Sequence, residues 1–218
     1  MPLTIGFMRR QDIAQVTEID HQAFPTEWPP TNFQRELENN LAYYIVAYEA
    51  QNTNPQSNAK SSNREMQPSF FDRVRRIFIR SQISKDDPEE EVPILGYAGM
   101  WIMADEAHIT SIASHQEHRH QGIGAALLIC LIELAIVKHT RIITLEARVS
   151  NQVAQNLYYK FGFDKLGVRK AYYLDNKEDA VIMSTEYIGS PSFKEKFVQV
   201  KQGYHQKLGA FTNKLSTS

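Results

Sequence analysis

The stretch EHRHQGIGAALL sets two glycines, Gly122 and Gly124, at the point where an otherwise strong apolar helix begins. A helical glycine gives up roughly 1 kcal/mol relative to alanine, so the backbone is needed bare there. The first turn of a helix carries unpaired N–H groups and the positive end of the helix dipole, which suits a phosphate. A strand-like stretch, AHITSIAS, leads into the loop, and the apolar helix runs from Gly122 to about His139. Strand, glycine loop and apolar helix in that order point to a layered α/β architecture.

The flanking patterns extend this reading. LTIGFM alternates as a strand, and Ile13, Val16, Ile19 and Ala23 recur at helical spacing after it. Thr31 is positioned to cap a second short helix, TNFQRELEN, before the strand LAYYIVAYEA. VPILGYAGMWIM and AHITSIAS are expected to pair as a hairpin around Ala104, Asp105 and Glu106. Beyond the apolar helix come the strand RIITLEARV, a helix from Asn151 to Phe161, and two more strands, FDKLGVRKAYY and DAVIMSTEYI. The sum is a mixed sheet of about seven strands flanked by about four helices. The main domain is expected to span 1–188, interrupted at 51–91 by a polar and charged insertion whose first half has almost no apolar content and reads as disordered. The tail, 189–218, carries Phe193, Phe197, Val200, Tyr204, Leu208 and Phe211 at steps of three and four, the spacing of an amphipathic helix.

Composition narrows the classes. A 218-residue chain that is 42% hydrophobic can bury a full core, and a net charge of −1 leaves only local patches to attract nucleic acid. The single cysteine, Cys130, excludes a disulfide framework, fits a reducing compartment and reads as a small core residue. The start, MPLTIGFMRR, lacks the pattern of a secretory signal. The run from Gly122 to Val137 is broken by Glu133 and falls short of the ~20 residues of a membrane span. A cytoplasmic location is expected.

Three phosphate loops could use these glycines. A P-loop needs Lys and then Ser or Thr after its last glycine, where this chain has Ala125 and Ala126. A dinucleotide fingerprint needs Gly or Ala where Leu127 stands. Arg119-x-x-Gly122-x-Gly124 between strand and helix resembles the pyrophosphate loop of the GNAT superfamily of acetyl-CoA-dependent N-acetyltransferases. TLEARVSNQVAQNLYYKFGF and GVRKAYYLDNKEDAVIM sharpen the resemblance toward the RimI-like N-terminal alanine acetyltransferases of ribosomal proteins. The match is loose over 2–49, close over 95–188, and absent from the insertion and the tail.

The resemblance implies the GNAT fold, acetyl-CoA as co-substrate and no metal. It implies cofactor contacts at Ile112, Ala113 and Ser114, where strand main chain would pair with the pantetheine arm. Further contacts carry over to His120, Gln121, Gly122, Ile123, Gly124 and Ala125 in the loop, and to Asn151. Glu146 becomes the general base, directly or through a water, and Tyr158 the general acid for the departing thiolate. The residues agree with these roles. Ile143, Leu145 and Ala147 alternate toward the core and leave Glu146 on the opposite side. Tyr158 lies two helical turns beyond Asn151 on one face, with Tyr159 turned about 100° away. Outside this context a late-strand glutamate is ordinarily a solvated edge residue and a tyrosine before KFGF ordinarily core.

For the peptide side the resemblance points to Phe24, Pro25, Glu27 and Trp28, and to Tyr172 and Tyr173; burial that pins the loops is the plain alternative. His115, His118 and His120 crowd near Glu117, but metal ligands are rarely crowded into a loop committed to phosphate, and His120 reads as lending a charge or its main chain to the phosphates. The basic segment FFDRVRRIFIR, and a tail with five lysines against Glu195 alone, read either as docking surfaces for ribosomal RNA or an acidic membrane, or as solvated faces. The implied activity is acetylation of the N-terminal amine of a small-subunit ribosomal protein by direct transfer. A lysine or small-molecule acetyltransferase, and a non-catalytic acyl-CoA-binding module, remain open at this level.

Overall fold

The computed structural model describes residues 3–25, 29–49 and 92–215. The insertion at 51–91 lies outside the described residues, as do Glu27 and Trp28. The chain runs β1 (Leu3–Phe7), α1 (Ile13–Ala23), α2 (Phe33–Glu38), β2 (Ala42–Glu49), β3 (Ile94–Met103) and β4 (Glu106–Ser114). It continues through α3 (Ile123–Val137), β5 (Ile142–Arg148), α4 (Gln152–Lys160), β6 (Phe163–Arg169), β7 (Ala180–Thr185), α5 (Pro191–Leu208) and β8 (Thr212–Asn213).

The eight strands form one mixed sheet in the order β6-β7-β5-β4-β3-β2-β1-β8. Only β4–β5 and β1–β8 are parallel. β8 is the strand that the sequence pattern did not announce, since two residues show no alternation. Their pairing with Thr4 and Ile5 ties the tail to the sheet edge. Two local expectations shift. Asn32, not Thr31, caps α2, its side chain accepting the Arg35 N–H at 3.0 Å. β6 ends at Arg169, so Tyr172 and Tyr173 lie in the β6–β7 connection rather than in a strand.

Each face of the sheet carries its own core. On one side α3 is apolar all round and buried at eleven of its fifteen residues, because α5 covers the face that the sheet does not. Phe193 and Phe197 of α5 stack at 6.2 Å and reach this core with Phe161 and Tyr204. Glu133, the one charge in α3, is taken up by Lys201 and by Asn213 (2.7 Å). Burial pushes the Cys130 thiol up, as befits a core residue. On the other side α1 and α2 pack Val16, Ile19 and Phe33 against Tyr44 and Tyr97, and the Tyr97 hydroxyl donates to buried Asp20. Among the described residues no helix is long and apolar enough to cross a membrane.

One irregularity shapes the centre. Gly99 pairs Ser111 while Met100 pairs Ile109, so Thr110 is an extra residue in β4. The bulge resets the alternation: Ile109 and Ile112 both pack toward α3, and Ala113 joins the opposite core. β4 and β5 are paired only over Glu106–Ile109 and Ile142–Leu145, although both strands continue beyond. They part there, and the edge of β4 toward β5 is left without a ladder partner.

Candidate active site

The loop that enters α3 faces this gap. Gly122 is the N-cap of α3 with φ 86°, the left-handed region that costs other residues roughly 1–2 kcal/mol. A Cβ on Gly124 would meet nothing closer than an Ile112 methyl at 3.9 Å, an ordinary contact, so the first turn lies beside β4 without crowding. The N–H groups of residues 120–124 donate to nothing among the described residues, because the first loop-to-helix bond runs from Ala125 to the Gly122 carbonyl at 3.1 Å. The Ala125 amide is already committed to the helix. Unpartnered main-chain donors at a helix start suit a pyrophosphate.

Ile112, Ala113 and Ser114 lie on the splayed end of β4. They pair with Ala98, Tyr97 and Gly96 on one side, and their other edge is open to an extended ligand. Asn151 uses its side-chain oxygen to cap α4, accepting Ala154 N–H at 3.1 Å, which leaves its amide NH2 for other contacts.

Glu146 is the first β5 residue past the last β4–β5 pair. Its side chain is only 10% exposed, and its two oxygens meet His108 Nε2 at 3.1 Å and Arg169 Nη1 at 3.0 Å. The hydrogen bond from His108 holds its carboxyl below the usual carboxylate range against the upward pull of burial, with the His108 and Arg169 charges adding to the effect. The chain of contacts continues: His108 Nδ1 lies 2.9 Å from Thr144 Oγ1, which donates to Glu106 at 2.6 Å. A carboxylate only accepts, so His108 Nε2 is the donor to Glu146. The result is a carboxylate held in place by an imidazole and a guanidinium on one strand-derived surface.

The β6–β7 connection closes the other side. Arg148 forks onto Asp175 at 3.0 and 3.1 Å and onto Glu178 at 3.0 Å, and its guanidinium lies 3.9 Å over the Tyr173 ring. Hydrogen bonds from the Ser150 hydroxyl and amide, with Arg148 and Asn176, hold Glu178 down at about 2. Tyr172 meets Tyr173 edge-on at 5.2 Å and sits under Arg169. Both tyrosines thus belong to a loop that Arg148 fastens to the end of β5. Tyr173 lies within electrostatic range of Glu146 and of Tyr158, and burial pushes each of these two phenols up to about 12. The Tyr158 ring packs on Phe163 at 5.8 Å, and its hydroxyl has no hydrogen-bond partner among the described residues. Tyr159 is 40% exposed.

Phe24 and Pro25 follow α1, Phe24 packing at the edge of the α1-side core. His115, Glu117 and His118 come within 4.8 Å of one another, without His120; His115 Nδ1 accepts the Glu117 N–H at 3.4 Å as the cap of a short 3₁₀ turn. His108, Arg148 and Arg169 are the site residues that sequence reasoning missed. The available signal was alternation: His108, Thr144 and Glu146 occupy polar positions between buried neighbours, and Arg148 continues the same face of β5.

The family model described as acetyltransferase (GNAT) family matches residues 48–163. A Bacillus subtilis (strain 168) protein, provisionally named a ribosomal protein bS18-alanine N-acetyltransferase, is 36% identical over 81% of this chain and 90% of its own length. The Mycobacterium tuberculosis protein named N-alpha-acetyltransferase RimI is 26% identical over 88% of this chain and 96% of its own. The crystal structure of the ribosomal-protein-S18-alanine N-acetyltransferase from Escherichia coli matches with TM-score 0.60 at 22% identity, over 85% of this chain and 94% of that one. A chain of the NatC complex bound to Gag peptide and CoA matches with TM-score 0.59 at 17% identity, over 85% and 99%.

Proposed function

Because this chain belongs to the acetyltransferase (GNAT) family, we propose that it is an N-alpha-acetyltransferase that uses acetyl-CoA to modify the N-terminal amine, alanine first of all, of a small-subunit ribosomal protein. One observation carries the reading: the β4–β5 ladder ends at Leu145, which leaves Glu146 just past it and the continuing edge of β4 free, and the unpartnered loop amides start α3 beside Ile112 of that edge. The substrate follows from what the relatives are named for. A ribosomal substrate implies action in the cytoplasm.

When bound, acetyl-CoA supplies an acetyl group activated as a thioester. The N–H groups of 120–124 hold its pyrophosphate, and main chain of Ile112, Ala113 and Ser114 bonds the pantetheine arm. Glu146 attracts and orients the incoming amine. An α-amino group titrates near 8, so roughly a tenth is neutral at pH 7, whereas a lysine near 10.4 is harder to deprotonate by roughly 3 kcal/mol. The base requirement is therefore mild. A carboxylate kept ionised by His108 and Arg169 meets it, taking the amine proton as the C–N bond forms and the nitrogen becomes acidic. Tyr158, a phenol protonated throughout the neutral range, donates to the sulfur as the C–S bond breaks. Phe24, Tyr172 and Tyr173 line the peptide's approach, and Arg148 fixes the tyrosine loop.

The test offers the chain acetyl-CoA with alanine-initiated peptides, internal-lysine peptides and polyamines in parallel, reading by mass spectrometry which amine is acetylated. Selective modification of N-terminal alanine supports the reading. Preference for lysine or polyamine overturns the substrate class, and no acetylation at all overturns the activity.

A further inference from the structure

Helix α5 lies outside residues 48–163, the span of the family match, yet its last two turns reach the glycine loop. The Tyr204 hydroxyl donates to the Gly122 carbonyl at 3.1 Å. Leu208 packs so close that its Cδ1 stands 2.0 Å from where a Cβ on residue 122 would be. The same carbonyl accepts the N–H groups of Ala125 and Ala126, each at 3.1 Å. A peptide unit is planar and trans, so fixing the Gly122 oxygen also fixes the Ile123 N–H, which points the opposite way. That N–H is one of the unpartnered donors of the cradle.

We propose that α5 is a clamp on the loop, and that Tyr204 is a positioning residue which aims the loop amides at the pyrophosphate of acetyl-CoA. The inference deepens the acetyltransferase reading and rests on it. The clamp has a rigid backing. Buried Phe193 and Phe197 seat α5 in the core, Lys201 pairs with Glu133 of α3, and beyond the helix the Lys214 N–H donates to the Ile5 carbonyl at 2.9 Å. Burial raises the Tyr204 phenol, which keeps it a donor at neutral pH and above. Gly122 is thereby explained twice, by its left-handed backbone and by the side chain laid across it.

Tyr204→Phe keeps the ring and removes the one bond. It is compared with wild type on two acyl donors, acetyl-CoA and S-acetyl-pantetheine, the second lacking the pyrophosphate. The expected result is an acetyl-CoA KM and coenzyme A Kd raised about 3- to 10-fold, kcat within about two-fold, and an unchanged KM for S-acetyl-pantetheine. Leu208→Ala gives the same selective pattern at smaller size, and reports independently if Tyr204→Phe folds poorly. Equal losses on both donors, or no loss on acetyl-CoA, overturns the clamp. A wild-type chain that binds no coenzyme A at all takes down the acetyltransferase reading, and the clamp with it; the wild-type titration separates the two failures.

Discussion

At Gly122 the protein offers bare main chain, whereas at Glu146 it offers a side chain and surrounds it with partners. The loop acts through its main chain; its donors are fixed because helix geometry and Tyr204 fix the peptide planes. The carboxylate has freedom of rotation and charge, and needs His108 and Arg169 to restrain both. The contrast separates binding from chemistry: damage to the loop should appear in cofactor affinity, and damage to the carboxylate network in turnover.

The largest effect is expected at the reacting groups. Glu146→Gln and Tyr158→Phe should each lower kcat about 10²-fold or more, with coenzyme A affinity largely kept, as steady-state kinetics beside calorimetry will show. Gly122→Ala should do the reverse. Its left-handed φ and its contact with Leu208 resist a Cβ, so coenzyme A should bind about 10-fold more weakly while saturated turnover changes little. Arg148→Ala should release the loop of Tyr172 and Tyr173 and raise the peptide KM about 3- to 10-fold, with acetyl-CoA KM unmoved.

The smallest effect is the most diagnostic of the network. The folded-state pKa of Glu146 is lowered, so its ion pairs stabilise the fold above the ordinary glutamate range and that contribution is lost as pH falls through the lowered value. The acid limb of the rate profile should sit correspondingly low. His108→Ala removes the largest cause of the lowering, and the limb should move up toward the ordinary glutamate range, with kcat about 3- to 10-fold lower. An unmoved acid limb would sever His108 from Glu146.

The same contrast explains what the sequence made legible. The start of α3 could be read because a left-handed helix entry leaves a local signature, glycine at the helix start, and the fold followed from strand and helix periods. The carboxylate network could not be assembled in advance. Alternation puts His108 and Glu146 on polar faces, but their meeting depends on parallel β4–β5 pairing. Arg169 reaches Glu146 through a further strand, since β7 sets Ala180 between Arg148 and Arg169. Such register is a property of the folded sheet. The tail was legible as an amphipathic helix, but not its destination: Tyr204 looked like one more apolar position until the fold laid it on Gly122.

The central claim is that main-chain amides at the start of α3 grip a diphosphate. Calorimetric titration of the wild-type chain with coenzyme A and, separately, with pantetheine tests it most directly. Charge-assisted bonds to several amides should make coenzyme A bind at least about 10²-fold more tightly. Equal affinity for the two, or heat from neither, would contradict the account.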